Sequence, residues 1–421
     1  MKPTRSRYWV VVFAVALSIL SYIDRVAMSK AAPYVRHDLN IDAAAMGRIF
    51  GAFGLGYALF EIPSGFLGDW MGPRKVLMRI VIWWSAFTAA TGWMWSATVM
   101  RLVQFLFGAG EAGCFPNLTK AFTTWLQPNE RTRAQGIMWM SARWGGAFTP
   151  LIVAYIFKFA NWRAMFSVIA VPGIIWAVLF YRWFRDNPHD HPKVNAAELE
   201  LLAANKALAG SHRDVPWLRL ITSRSVILLW VQYFLISYPW YFYITWLSTY
   251  LKEYRGIHDD VKSGIYAIVP LFSGGLGCLL SGYLVPRVST ALRSVTFARR
   301  LIATLGFLGA AVFLVVCIRT ADPRWSMAAM GAASFCNDLV MPPAWGACMD
   351  VGGKYAGTLS GSMNMMGNLA GFVAPQVGGI ILARNGGDYA PFLYTMALAY
   401  LLGALCWPFI DPVTPLKHKE T

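Results

Sequence analysis

The sequence predicts an all-α integral membrane protein of twelve spanning helices in two six-helix bundles. Three observations carry that expectation. First, 57% of the 421 residues are hydrophobic and only 14% are charged, against about a quarter charged in an ordinary soluble domain. Second, the apolar residues come in blocks about as long as a helix needs to cross a bilayer, roughly 20 residues. Third, a single long polar stretch splits those blocks six and six.

In order, the blocks lie near 8–30, 46–68, 76–96, 98–122, 134–157 and 162–184, then 225–251, 264–286, 298–319, 326–349, 356–383 and 389–411. Many of the 37 glycines and 22 prolines fall inside them, which membrane helices tolerate because neighbours and water re-satisfy the freed backbone groups. A β-barrel would need short alternating segments instead. The first block follows Lys2, Arg5 and Arg7. It is longer than a signal-peptide core, meets Asp24 and Arg25 and shows no small-residue cleavage site, so it reads as the first span. The domains expected are residues 1–184, a linker over 185–224, and residues 225–421.

A net charge of +16 could suggest nucleic acid, but the basic residues cluster in alternate loops. These clusters are Arg74/Lys75/Arg79, Arg131/Arg133, Arg185 to Arg224 and Arg287 to Arg300, together with both ends of the sequence. That is the positive-inside pattern with both termini cytoplasmic. Arg36, Arg48, Lys252 and Arg255 break it. The partners expected are therefore a lipid bilayer and a small solute, not nucleic acid. Cysteines 114, 278, 317, 336, 348 and 406 all fall inside spans without a CxxC pair, as small packing residues do. No metal or other cofactor is expected, and His189 and His191 in the linker read as solvated. The sequences "ARWGGAFTP" and "GNLAGFVAP" end at Pro150 and Pro375, 225 residues apart. Such a faint repeat fits a transporter of two related halves with its site near the membrane midplane.

Ionisable residues inside spans are the informative ones, since a charge at the bilayer centre costs about 2.5–3.5 kcal/mol even on the lenient insertion scale. The clearest carboxylates are Asp24, Glu61, Glu111 and Asp338, and the clearest cations are Arg25 and Arg143, with Arg101 near a span end. Every histidine lies in a loop or tail, so carboxylates would have to carry any transported protons. Glu111, between Gly110 and Gly113, suits either a proton carrier, since a desolvated carboxyl can load and release a proton, or a structural ion pair. Arg25 and Arg143 suit either an organic anion, through bidentate guanidinium contacts, or neutralisation of Asp24 or Glu111. Tyr57, Trp345, Asn364 and Asn368 could bind substrate hydroxyls or join helices.

The stretch "GFLGDWMGPRKVLM" after the second span resembles the loop signature of the major facilitator superfamily, with Gly65, Asp69, Gly72, Arg74 and Lys75 at the motif positions and Trp70 as a departure. Within it, "SYIDRVAMS", "GLGYALFEIPSGFLGD", "GAGEAGCFPN", "RDNPHDHPKVN", "ITWLSTYL" and "PPAWGACMDVGGKYAGTLSGSMNMMGNLAGFVAP" resemble the anion:cation symporter family, over nearly the whole chain. The loops show no reactive Cys/His or Ser/His arrangement, so no enzyme activity is expected, and the resemblance implies the major facilitator fold. It implies proton coupling through Asp24 and Glu111, substrate binding by Arg25 and Tyr57, and a pocket lined by Trp345 and Asn364. It also implies a cytoplasmic latch at the loop motif. Gln104 and Arg143 depart from the family pattern, and Arg143 is expected either to share in pairing Glu111 or to bind a second carboxylate. The function expected is proton-coupled symport of an organic anion, most specifically a hexuronate or aldonate, by a monomer in an inner membrane. A sodium-coupled or uncoupled carrier of another carboxylate is the alternative, and a transporter-like sensor a remote one.

Overall fold

A computed structural model describes residues 2–41, 43–203, 205, 215, 217–247, 250–257 and 260–416. The linker stretch 206–214 and His212, His258 and His418 lie outside the described residues.

Among the described residues the chain is helical, with no strand. The helices are α1 (Tyr8–Asp38), α2 (Ala43–Met71), α3 (Pro73–Thr91), α4 (Ala97–Glu111), α5 (Cys114–Trp125), α6 (Pro128–Ile156) and α7 (Trp162–Trp183). The short linker helices α8 (Ala196–Leu201) and α9 (Trp217–Thr222) follow. Then come α10 (Arg224–Thr245), α11 (Asp260–Ala291), α12 (Val295–Arg319), α13 (Pro323–Asp338), α14 (Met341–Gly352), α15 (Ala356–Arg384) and α16 (Ala390–Cys406). Twelve spans result, because α4 with α5 and α13 with α14 each make one interrupted span. Eight stretches of described residues are long and apolar enough to cross a membrane on length and composition alone, and one of them, Pro323–Leu382, holds two spans. Spans three, four and five, which carry Arg74, Lys75, Arg79, Glu111, Lys120 and Arg143, fall outside that set.

The interruptions have local causes. Gly113 sits at φ +84°, a left-handed conformation open to glycine at little cost, and it stops α4 and caps α5. Leu339 and Val340 separate α13 from α14, ahead of the Met341-Pro342-Pro343 start that a helix accepts only in its first turn. Each interruption follows directly on a buried acid, Glu111 or Asp338. Those acids are 227 residues apart, close to the 225-residue repeat.

Packing divides the chain into two compact units. One comprises residues 1–131, 145–215 and 352–365, the other residues 132–144, 216–351 and 366–421. In the first unit α2 and the start of α15 touch through glycine. A Cβ on Gly361 would stand 3.0 Å from the Glu61 carbonyl oxygen and 3.6 Å from Gly65 Cα, closer to the oxygen than nine in ten real Cβ contacts. In the second unit Gly136 of α6 and Gly282 of α11 meet backbone to backbone, a Cβ on either lying within 3.0 Å of the other's Cα. Such small-residue contacts are how membrane helices approach closely. On α7, Val171, Ile174, Ile175, Val178 and Leu179 are exposed, a face suited to lipid.

All six cysteines are free and buried. The linker is less solvated than its composition suggests. His191 is buried, with its ring against Trp125 at 5.4 Å and Trp183 at 4.7 Å. Burial, with Arg185 nearby, pushes its imidazole below the usual histidine range.

Candidate functional site

The first unit gathers the sequence-predicted charges around Glu111. Ser21 and Arg25 are one helical turn apart on α1 and so share a face. Both donate to Glu111 Oε1, Ser21 through its hydroxyl and Arg25 through Nε at 2.9 Å. Glu111 is fully buried and Arg25 is partly exposed, its side chain at 21%. Arg25, adjacent to Asp24 in sequence, therefore finds its partner in Glu111. Asp24 points about 100° away and is buried, with the Trp84 indole as its polar neighbour.

On α2, Tyr57 and Glu61 repeat the one-turn spacing. The Arg25 guanidinium lies 4.5 Å from the Tyr57 ring centre and also faces the rings of Tyr22, Phe53 and Phe115. A planar cation held over aromatic faces keeps its charge in a weakly solvating site. Arg25 Nη2, Tyr57 Oη and Glu111 Oε2 are buried polar atoms with no hydrogen-bond partner. Polar groups left this way cost about 1–3 kcal/mol each, so the arrangement is poised to gain from a ligand that satisfies them. Asn364, from the start of α15, donates to Glu61 Oε1 at 2.8 Å.

The second unit has its own buried pair. Arg143 on α6 donates Nε to Asp338 Oδ2 at 2.7 Å and Nη2 to Oδ1 at 3.0 Å. Asn337 donates to Oδ1 as well, and Trp240 lies under the guanidinium at 4.3 Å. The expectation that Arg143 shares in pairing Glu111 gives way here: Glu111 takes Arg25, and Arg143 takes the acid at the matching position of the second half. Arg101 is exposed, and Gln104 donates to Thr91 at 2.9 Å. Trp345 donates Nε1 to Tyr233 Oη at 3.1 Å and packs on Trp139. Asn368 accepts from Tyr241 Oη at 3.0 Å.

The loop motif is built around buried Asp69, which accepts from the backbone N–H groups of Gly357 and Thr358 and from Thr358 Oγ1, at 3.1, 2.6 and 2.7 Å. Lys120 Nζ stands 3.4 Å away. A carboxylate at the N-terminus of α15 is favoured by the helix dipole. Gly72, at φ +84°, turns the chain into α3. There the Arg74 N–H donates to Asp186 and its guanidinium to the Tyr181 carbonyl. Desolvation raises the Asp186 carboxyl above the usual aspartate range, against the pull of Arg74. Gly65 approaches the Gly357 backbone, and Lys75 is exposed.

Lys120, Thr358 and Asp186 are residues of these clusters that the sequence reading misses, and the sequence flags Asp338 without its partner. Lys120 left a signal, a lysine inside an apolar span. Thr358 left none, since its role depends on which helix start lies beside Asp69.

A twelve-span helical chain with buried ion pairs and interrupted spans has the architecture of a transporter. The chain belongs to the Major Facilitator Superfamily, whose family pattern matches residues 14–375. It is 34% identical to the "Probable sulfoacetate transporter SauU" of Cupriavidus necator, over 99% of this chain and 96% of that one. It is 26% identical to the "Hexuronate transporter" of Bacillus subtilis, over 96% and 94%. A solved proton:xylose symporter, XylE, superposes with a TM-score of 0.76 at 12% identity, covering 97% of each chain, which establishes the fold.

Proposed function

We propose that the protein is a proton-coupled symporter of an organic anion, by alternating access. The observation that carries this is the sharing of Arg25, whose Nε is held by Glu111 while Nη2 has no partner. A guanidinium can serve Glu111 or an incoming carboxylate, and protonation of Glu111 moves the balance towards the anion. The loaded site is then nearer neutral than the empty one, which lowers the cost of closing it away from water. Asp24 is the second proton group. Tyr57, Trp345, Asn364 and Asn368 orient the anion, and Arg143 supports its field from a pair with Asp338. Asp69, with Gly65, Gly72, Arg74 and Lys75, latches the cytoplasmic ends. The setting is an inner membrane with both termini cytoplasmic and a monomeric chain.

The anion we favour is a hydroxylated sugar acid, hexuronate or aldonate. Hydroxyl and amide groups at Tyr57 and Asn364, and relatives named for hexuronate, galactarate and galactonate transport, support it. The relative named for sulfoacetate at 34% identity favours a second reading, a small sulfonate or dicarboxylate. Uptake into proteoliposomes under imposed pH or sodium gradients, with sugar acids and sulfoacetate as competitors, separates these. Glu111→Gln should abolish proton-driven accumulation and leave counterflow exchange measurable. Full proton-driven uptake by that variant refutes the reading.

A further inference from the structure

The mechanism above leaves Glu61 unused, although it is a carboxyl at 0% exposure in the middle of a span. Its side-chain hydrogen bond comes from a neutral amide, Asn364, and the Gly113 backbone N–H also faces it. Its second oxygen, Oε2, is buried without a partner. The charged and titratable groups facing it are Arg25, Glu111, Tyr57 and Cys114. Of these Arg25 is the cation, and its ion pair is with Glu111. Neither Asp24 nor Glu61 has an ion-pair partner among the described residues.

The charge count decides the protonation of the cluster. Glu61 and Glu111 are buried carboxyls facing one guanidinium, and Asp24 is a third, buried near Glu111 and without a cation of its own. With all three ionised the cluster would carry two uncompensated negative charges in a low-dielectric span. An uncompensated buried charge costs more than a neutral carboxyl with an unmet hydroxyl, so protonation is the cheaper state for an acid without a cation. Glu111 keeps its charge through Arg25 and Ser21. Glu61, with neutral N–H donors alone, does not have the means to do so.

We propose that Glu61 is a third proton-binding site of this protein, carrying its proton on Oε2 while Asn364 donates to the carbonyl oxygen Oε1. The residue that releases the proton follows from the packing. Asn364 belongs to the stretch of α15 that touches α2 through Gly361 and Gly65. Motion of α15 away from α2 would withdraw the amide from Oε1 and so change the hold on the proton. The transport role rests on the symport reading above, but the proton site does not.

Infrared difference spectroscopy on the purified full-length protein tests it, with hydrogen–deuterium exchange marking protonated carboxyl C=O bands at neutral pH. Glu61→Gln should remove one such band, and Glu111→Gln should leave that band in place. Asn364→Val should shift the same band to higher frequency, because its carbonyl loses a donor, so the test survives if Glu61→Gln does not fold. A band unchanged in Glu61→Gln, or unshifted in Asn364→Val, overturns the proposal. Loss of the band in a protein whose uptake ignores pH gradients supports the proton site and removes the symport reading instead.

Discussion

Arg143 holds Asp338 through two parallel hydrogen bonds, at 2.7 and 3.0 Å, with both side chains buried. Breaking such a pair leaves an uncompensated charge, which costs about 3–5 kcal/mol. Arg143→Gln should therefore lower the thermal unfolding midpoint in detergent sharply, and Arg143→Gln with Asp338→Asn should recover most of the loss. Arg143→Lys should fall between, since lysine lacks the fork and the flat face over Trp240. Equal stability of Arg143→Gln and the unmodified protein would refute a structural role for the pair.

At the end of α2, Asp69 gathers three hydrogen bonds from Gly357 and Thr358. Thr358→Val removes the hydroxyl donor alone and should cost about 1.5–3 kcal/mol, as hydrogen bonds to charged groups do. Asp69→Ala also strips Lys120 of its counter-charge and should cost more. Thermal unfolding of the two variants checks the order; a larger loss in Thr358→Val would contradict it.

Arg25 lies over the Tyr57 ring at 4.5 Å. Arg25→Lys keeps the charge and loses the planar face, a difference of about 0.5–2 kcal/mol, or roughly 2- to 30-fold in anion affinity. Equilibrium binding of the transported anion to the purified variant measures this. Unchanged affinity would place the anion elsewhere.

Glu198 tethers the start of the chain to the linker. It accepts from the N–H groups of Ser6 and Arg7 at 3.0 and 3.1 Å and pairs with the Arg7 guanidinium at 3.1 Å. Burial pushes its carboxyl up, but these bonds and that of Thr4 outweigh it and hold it below the usual glutamate range. A depressed carboxyl stabilises fully above its unfolded value, about 4.3, and its contribution is lost as pH falls through the lower folded value. Amide exchange at Ser6 and Arg7 should be slow at neutral pH and speed up, beyond the intrinsic pH effect, in acid. In Glu198→Gln the protection should already be weakened at neutral pH. Equal protection in that variant would show that other contacts hold the segment.

Much of the architecture is legible along the chain, because bilayer thickness imposes a length and a composition on every span. The same rule flags Asp24, Arg25, Glu111, Arg143 and Asp338, since charges in apolar spans need a reason. Gly113 and the Pro342-Pro343 pair mark the two interruptions by backbone chemistry that neighbours do not alter. Pairing is another matter. Arg25 stands next to Asp24 in sequence and binds Glu111, because adjacent helical residues face different ways and only packing brings α1 to the end of α4. Arg143 binds Asp338 for the same reason. The sequence determined which charges are buried, through the energetic cost of placing them in a membrane. The tertiary structure decided which acids have a cation and which, like Glu61, have neutral N–H donors instead, one of them from a helix 303 residues away, because hydrogen bonds and ion pairs act over a few ångströms of space.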